Sequence, residues 1–291
     1  MNSSATLPSI APSDKANRRT IASGHPPDWQ PPQPKPLYDL VVLGGGPAGT
    51  MAVLTATKAG HTVAVVERNL TGGTCVNFGC TPSKALIRAA RAVFQARDGE
   101  KFGYRLAGEP QIDFAAVITR VHEMRAEASA GDSVALMATA GADFYLGEAR
   151  FVGPDTVEVD GQRLKFKKAV LATGSGPAVP DLPGLAEASY LTNETLFELT
   201  ELPRRLVCLG GGTINCELAQ AFCRLGSQVE LVGSADRLLP GEVPEASELI
   251  AKQLRREGVK LHLGVKATRV DGRRKCLTLS DGRELEYDAL L

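Results

Sequence analysis

The sequence predicts an α/β protein of two tandem three-layer domains, each a parallel sheet covered by helices and carrying a small β-meander. Two observations carry this. A strand–glycine loop–helix–strand pattern runs from Tyr38 to Glu67 and restarts at Arg205, and setting Gly44 on Gly210 gives an offset of 166 residues. Each copy leads into an alternating hairpin and then an apolar strand, TVEVDGQRLKFKKAVLATG in the first and LTLSDGRELEYDALL in the second. A chain of 291 residues has room for two domains. Its 33 basic and 33 acidic residues balance, which argues against nucleic acid as a partner. No apolar run approaches the ~20 residues of a membrane span. The expected location is the cytoplasm.

Residues 1–36 are rich in Pro, Ser and Ala and end in HPPDWQPPQPKP. They read as a disordered, polyproline-like arm. Arg18-Arg19 is not followed by the apolar stretch of an export signal.

Order is expected from Leu37. The apolar run Leu40–Leu43 meets Gly44, Gly46 and Gly49 in G-x-G-x-x-G spacing, an Ala-rich helix follows, and a second strand, Thr62–Val66, ends at Glu67. In this setting the glycines have separate tasks: a tight turn, close approach of backbone to a pyrophosphate, and close packing of helix on strand. The helix N-terminus offers free N–H groups to phosphates, and Glu67 can accept bonds from ribose hydroxyls. Dinucleotide binding follows, against the bland alternative of a Gly-rich turn that binds nothing.

TGGTCVNFGCTPSKAL comes next, with Cys75 and Cys80 at the start of a helix read over 81–98, Pro82 in its first turn. A second helix is read over 113–140 from Phe114, Val117, Val121 and Met124. Arg88, Arg91 and Arg97 read as a solvated face. Phe144–Phe151, Thr156–Val159 and Arg163–Phe166 alternate as a meander with a turn at Asp160-Gly161, and Ala169–Leu171 reads as a buried strand ending in Ala172-Thr173-Gly174. After a loop with three prolines, TNETLFELTELP reads as a short helix and connector. In the second copy the chain ends at Leu291, inside the buried strand, which reads as a fragment or a truncated gene product.

Six cysteines are present, and Cys208, Cys216, Cys223 and Cys276 sit in apolar contexts that suit small buried side chains. Cys75 and Cys80 differ. A helix N-terminus favours a thiolate, Lys84 adds charge, and the glycines let a flat ring approach. A first cradle delivering a flavin and a second delivering a nicotinamide would form an electron path to a disulfide and an external substrate. The alternatives are an inert thiol pair and half a metal site; the four His are scattered at 25, 61, 122 and 262, and no metal ligand set is read.

GGTCVNFGCTPSK, with GGGPAG upstream and ATGS and GGGTINCE downstream, resembles the class I pyridine nucleotide–disulfide oxidoreductases, which include dihydrolipoamide dehydrogenase, mercuric reductase and glutathione reductase. The resemblance implies two Rossmann-like domains: residues 37–195 as the first part of an FAD-binding domain with a redox disulfide, and 196–291 as an incomplete NAD(P)-binding domain. The C-terminal dimerisation domain is absent from the sequence. It further implies Cys75 as the interchange thiol and Cys80 as the thiolate against the flavin. Lys84 would lie near the flavin and pair with Glu217. Gly44, Gly46, Gly49 and Glu67 would hold FAD, with Gly73, Thr74, Ala149, Thr173 and Gly174 as further contacts. Gly210, Gly212 and Asn215 would face NAD(P)H. Pro82-Ser83-Lys84 is similar to the dihydrolipoamide dehydrogenase or mercuric reductase side of the family, and ALIRAARAVFQAR and LGEARFVGPDTVEV are most similar to mercuric-reductase-like members, whose substrate is a metal ion. The expected function is electron transfer from NAD(P)H through FAD and the Cys75–Cys80 disulfide to Hg(II) or a small disulfide, the whole protein acting as a homodimer. Dihydrolipoamide dehydrogenase activity and a non-catalytic FAD-binding fragment are the alternatives.

Three departures stand against the family pattern. Asn215 replaces the third glycine of the second motif, where a side chain would crowd the helix–strand contact. Gly233 ends the strand where NAD-preferring members carry an acid, with Arg237 nearby and NADPH favoured. The part that supplies the His–Glu base lies beyond Leu291.

Overall fold

The structure is a computed structural model and describes residues 8–291. It divides into two compact units: residues up to Pro82 with Thr119–Gly176, and Ser83–Ile118 with Pro177–Leu291. No helix among the described residues is long and apolar enough to cross a membrane.

In the first unit, β1 (Tyr38–Leu43), β2 (Val63–Glu67), β3 (Asp143–Leu146) and β6 (Gln162–Leu171) lie parallel in the order β3-β2-β1-β6. The sheet continues antiparallel through β5 (Thr156–Val159) to β4 (Arg150–Gly153). Alternation places the core on both faces. Val41, Leu43, Ala64, Val66 and Tyr145 face the meander's Val157, Val159 and Leu164. Their neighbours Val42, Val63, Val65 and Phe144 face Val53 of α2 (Pro47–Lys58) and Val134 and Met137 of α6 (Val134–Thr139). Each fully buried Val, Leu, Phe or Met among them contributes about 1.5–3 kcal/mol. Helices, sheet and meander form three layers.

Three expectations are corrected here. Phe144–Phe151 is not one meander strand, because Asp143–Leu146 joins the parallel sheet beside β2 and only Arg150–Gly153 pairs in the meander. Arg163–Phe166 and Ala169–Leu171 are one strand that pairs with β5 at its start and β1 at its end; Lys167 between them points to the Asp39 carboxylate at 2.7 Å. The helix read over 113–140 is two, α5 (Phe114–Gly131) and α6, with Ser133 accepting the Leu136 N–H as an N-cap.

The largest correction concerns the arm. Residues 1–7 lie outside the described residues, but those that follow are not a disordered arm. They form α1 (Lys15–Gly24), with Asn17 and Thr20 fully buried. Asp14 accepts the Asn17 N–H at 2.7 Å as the N-cap and takes a second bond from His122 Nδ1 at 2.6 Å. Burial works to raise its carboxyl, but these partners hold it below the usual carboxylate value. Past the helix, Trp29 Nε1 donates to the Phe144 carbonyl of the edge strand β3 at 3.0 Å, its ring edge-on to Phe144. Composition concealed this because Pro-rich chain cannot build a core alone, yet it can dock onto one already formed.

Asp14→Ala should lower stability by about 1–2 kcal/mol, the worth of an N-cap plus a bond to a buried side chain. A group with a depressed pKa stabilises above its unfolded value, near 3.9, and that contribution is lost as pH falls through the folded value. Thermal unfolding of the parent should thus approach that of Asp14→Ala in acid and diverge from it at neutral pH.

In the second unit, β7 (Arg205–Leu209), β8 (Gln228–Gly233), β9 (Lys260–Leu263) and β13 (Ala289–Leu290) lie parallel in the order β13-β7-β8-β9. The order matches the first unit strand for strand. α7 (Thr213–Leu225) follows β7, α8 (Pro244–Arg256) links β8 to β9, and β10 (Ala267–Asp271), β11 (Cys276–Leu279) and β12 (Glu284–Glu286) form the meander. Most of α4 (Cys80–Arg97) packs here: Arg224 lies 4.5 Å from the Phe94 ring centre, and Arg97 donates to the Arg224 carbonyl at 2.8 Å and to Glu109. Arg88, Arg91 and Arg97 are all exposed, as a solvated face requires, and Arg97 makes its two bonds from that face.

Candidate functional site

In the first unit the glycine loop is built as its spacing requires. Gly44 sits at φ +108°, a conformation that favours glycine, and a Cβ there would lie 2.2 Å from the Ala172 carbonyl oxygen. That contact sets Thr173 and Gly174 beside the loop at the C-terminal ends of β1 and β6. Gly46 caps α2 with Pro47 as the first helical residue, so the first-turn N–H groups lack intrahelical partners. Glu67 is buried, and its two oxygens accept the N–H groups of Gly45 at 2.6 Å and Asn69 at 2.7 Å. It braces the loop, and an ionised carboxylate retains lone pairs for a ribose hydroxyl.

The cysteine segment is tied to this loop. The Gly72 N–H donates to the Gly45 carbonyl at 2.9 Å, and Gly73, which opens α3 (Gly73–Phe78), lies so close to Gly46 that a Cβ on Gly73 would be 2.8 Å from the Gly46 Cα. Thr74 is exposed on the first turn, while Ala149 packs against the meander core. Sequence reading placed both cysteines on one helix start; instead Gly79 breaks the run, leaving Cys75 inside α3 and Cys80 as the first residue of α4. Cys75 is half-buried and Cys80 exposed, both as thiols. Burial and the hydrogen-bonded Cys80 thiol push the Cys75 thiol up to about 11, against the pull of the Cys80 N–H. The helix-terminus effect expected to favour a thiolate is outweighed at this position.

Asn77 was missed by sequence reading. Fully buried, it donates to the carbonyls of Thr71 and Gly73, both at 2.9 Å, and accepts from Arg125 Nη1 at 3.0 Å through its own carbonyl. The available signal was Arg125 itself: it lies four residues after Val121, on the apolar stripe of α5, where a solvated arginine has no place.

The second unit repeats the cradle. Gly210 has φ +111° and Gly212 caps α7 at φ −79°, ψ 175°, against −78° and −174° for Gly46. The crowding expected from Asn215 is relieved by its own side chain, whose amide donates to the Leu209 carbonyl at 2.6 Å and the Gly210 carbonyl at 3.0 Å. A cavity of about 320 Å³ opens beside this loop, lined by Pro177, Tyr190, Leu209, Gly212, Thr213 and Asn215 among others. Lys84 Nζ lies 2.8 Å from Glu217 Oε2, so the two residues brought together by resemblance are an ion pair within this one unit. Arg237 donates to the Pro240 carbonyl. Of the other cysteines, 208, 216 and 276 are buried and Cys223 partly so, its thiol on the Glu257 carbonyl at 3.1 Å.

The family described as pyridine nucleotide-disulphide oxidoreductase matches residues 38–291. The chain belongs to this family. It is 38% identical over 260 residues to a mercuric reductase of Lysinibacillus sphaericus, covering 87% of this chain and 47% of that protein. A dihydrolipoyl dehydrogenase of Acholeplasma laidlawii is 31% identical over 260 residues, with 87% of this chain and 77% of that protein covered. Among solved structures, the HOCl-induced flavoprotein disulfide reductase RclA from Escherichia coli superposes with a TM-score of 0.75 at 30% identity, over 87% of this chain and 55% of that one. The chain spans about half the length of most of the curated relatives it matches.

Proposed function

We propose that the protein is a flavin-dependent oxidoreductase in which electrons from NAD(P)H reach a Cys75–Cys80 disulfide and then Hg(II) or a disulfide substrate. The observation that carries this is the segment of Cys75 and Cys80 tied to the first glycine loop through the Gly72 N–H on the Gly45 carbonyl and the close approach of Gly73 to Gly46. Gly44, Gly46, Gly49, Glu67, Thr173 and Gly174 would hold FAD, whose isoalloxazine supplies two-electron transfer between nicotinamide and disulfide. Gly210, Gly212 and Asn215 would hold the nicotinamide nucleotide, and the lack of an acid at Gly233 favours NADPH. Cys80 serves as the flavin-side sulfur and Cys75 as the sulfur that meets substrate. Lys84, oriented by Glu217, presents a fixed positive charge. Two thiolates suit soft Hg(II) as substrate.

Likeness to the mercuric reductases supports the metal-ion substrate, while the 31% identity to the Acholeplasma dihydrolipoyl dehydrogenase supports dihydrolipoamide as the second reading. Initial rates with Hg(II) and with lipoamide separate them. We place the working protein in the cytoplasm as a homodimer.

Purified protein given FAD should turn yellow. Anaerobic NAD(P)H should then produce a long-wavelength absorbance from thiolate against flavin, lost in Cys80→Ser and kept in Cys75→Ser. A folded protein that takes up no FAD would sink the proposal.

A further inference from the structure

The segment Asn69–Asn77, which carries Cys75, is gripped by the N-terminal arm. At its start, the Thr71 N–H donates to the Gly24 carbonyl at the end of α1 at 3.1 Å, and His25 Nδ1 lies 2.6 Å from the Asn69 carbonyl oxygen. At its end, Arg125 bridges two partners: Nη2 donates to Asn17 Oδ1 of α1 at 2.6 Å and Nη1 to the Asn77 carbonyl at 3.0 Å. Asn17, Asn77 and Arg125 are each at most 1% exposed. A buried guanidinium needs its acceptors, since an unmet charged donor costs several times an ordinary hydrogen bond. Asn17 is held in turn by Asp14 through its N–H and by the Pro12 carbonyl through its amide. Asn77 passes the restraint on, donating to the carbonyls of Thr71 and Gly73 at the head of α3.

We infer that the arm is a positioning element for the redox helix, with Asn17 acting through Arg125 and Asn77 to hold α3 and the Cys75 thiol against solvent and against the glycine loop. The functional weight of this rests on the proposed role of Cys75; the hydrogen-bonded relay itself does not.

The test reads thiol accessibility, which is independent of turnover. Reduced protein is treated with iodoacetamide at fixed pH, and each cysteine is followed by peptide mass spectrometry. Asn17→Ala should speed labelling of Cys75 about tenfold or more, the scale of one lost charge-assisted bond. Buried Cys208 and Cys276 of the second unit should keep their parental rates, and Asn17→Asp, which keeps an acceptor for Arg125, should restore protection at Cys75. A Cys75 rate within about twofold of the parent in folded Asn17→Ala overturns the assignment. So does equal loss of protection at all three cysteines, which would make the arm a general stabiliser. Should Asn17→Ala not fold, Arg125→Lys decides: it keeps the charge but reaches one oxygen, so a rise of about threefold at Cys75 alone is expected and a parental rate refutes it. Failure here leaves FAD uptake and the charge-transfer band untouched, so the two proposals fall separately.

Discussion

Gly49→Ala should unfold the first unit under conditions where the parent is intact, at a cost of roughly 3 kcal/mol or more. A Cβ at residue 49 would sit 1.8 Å from the Gly44 carbonyl oxygen and 2.9 Å from its carbonyl carbon. Both belong to backbone, and Gly44 is itself confined by the Ala172 carbonyl. Neither side can yield without moving β1, α2 or β6. The second unit supplies the control. At the matching position Asn215 already carries a side chain, and its amide bonds to the Leu209 and Gly210 carbonyls. Asn215→Gly should therefore cost only about 1–2 kcal/mol, from two lost hydrogen bonds and a more flexible backbone. Hydrogen exchange followed by peptide within each unit measures both. A Gly49→Ala protein with parental protection in β1 and α2 would mean that the close approach is not as described.

The second large effect is chemical. With the Cys75 thiol raised to about 11, its alkylation at pH 8 should be roughly a hundredfold slower than that of an ordinary cysteine of pKa near 8.5. The rate should climb about tenfold per pH unit until the thiol titrates. Burial is the first cause and the Cys80 thiol the second, so Cys80→Ser should move the profile to lower pH without returning it to the ordinary value. The linkage sign is that of a raised pKa: the stabilising contribution is present below the unfolded value and is lost as pH rises through the folded one. A Cys75 profile that levels off near pH 8.5 would contradict the packing around α3.

What was legible in the sequence was what local pattern encodes. GGGPAG between two apolar runs announced a strand–loop–helix turn because glycine spacing reports backbone geometry, and the structure places Gly44, Gly46 and Gly49 in that turn. The 166-residue duplication was legible as repeated periodicity, and it emerges as the same strand order in both units. Lys84 and Glu217, 133 residues apart, were joined only by family resemblance. Asn17, 108 residues from Arg125, was joined by nothing. The capping residue Asp14 was in plain view, but a short helix in Pro-rich chain is stable only when another element buries it.

The pair Cys75 and Cys80 shows the same division. By itself the sequence determined that two thiols follow a glycine loop between strand and helix, since glycine spacing and residue order are local properties. Only the tertiary structure decided how they are held: Gly79 splits their helix, Cys80 and burial keep Cys75 protonated, and the arm reaches them through Arg125. Those outcomes depend on which distant groups share a desolvated space, and one-dimensional spacing does not contain that distance.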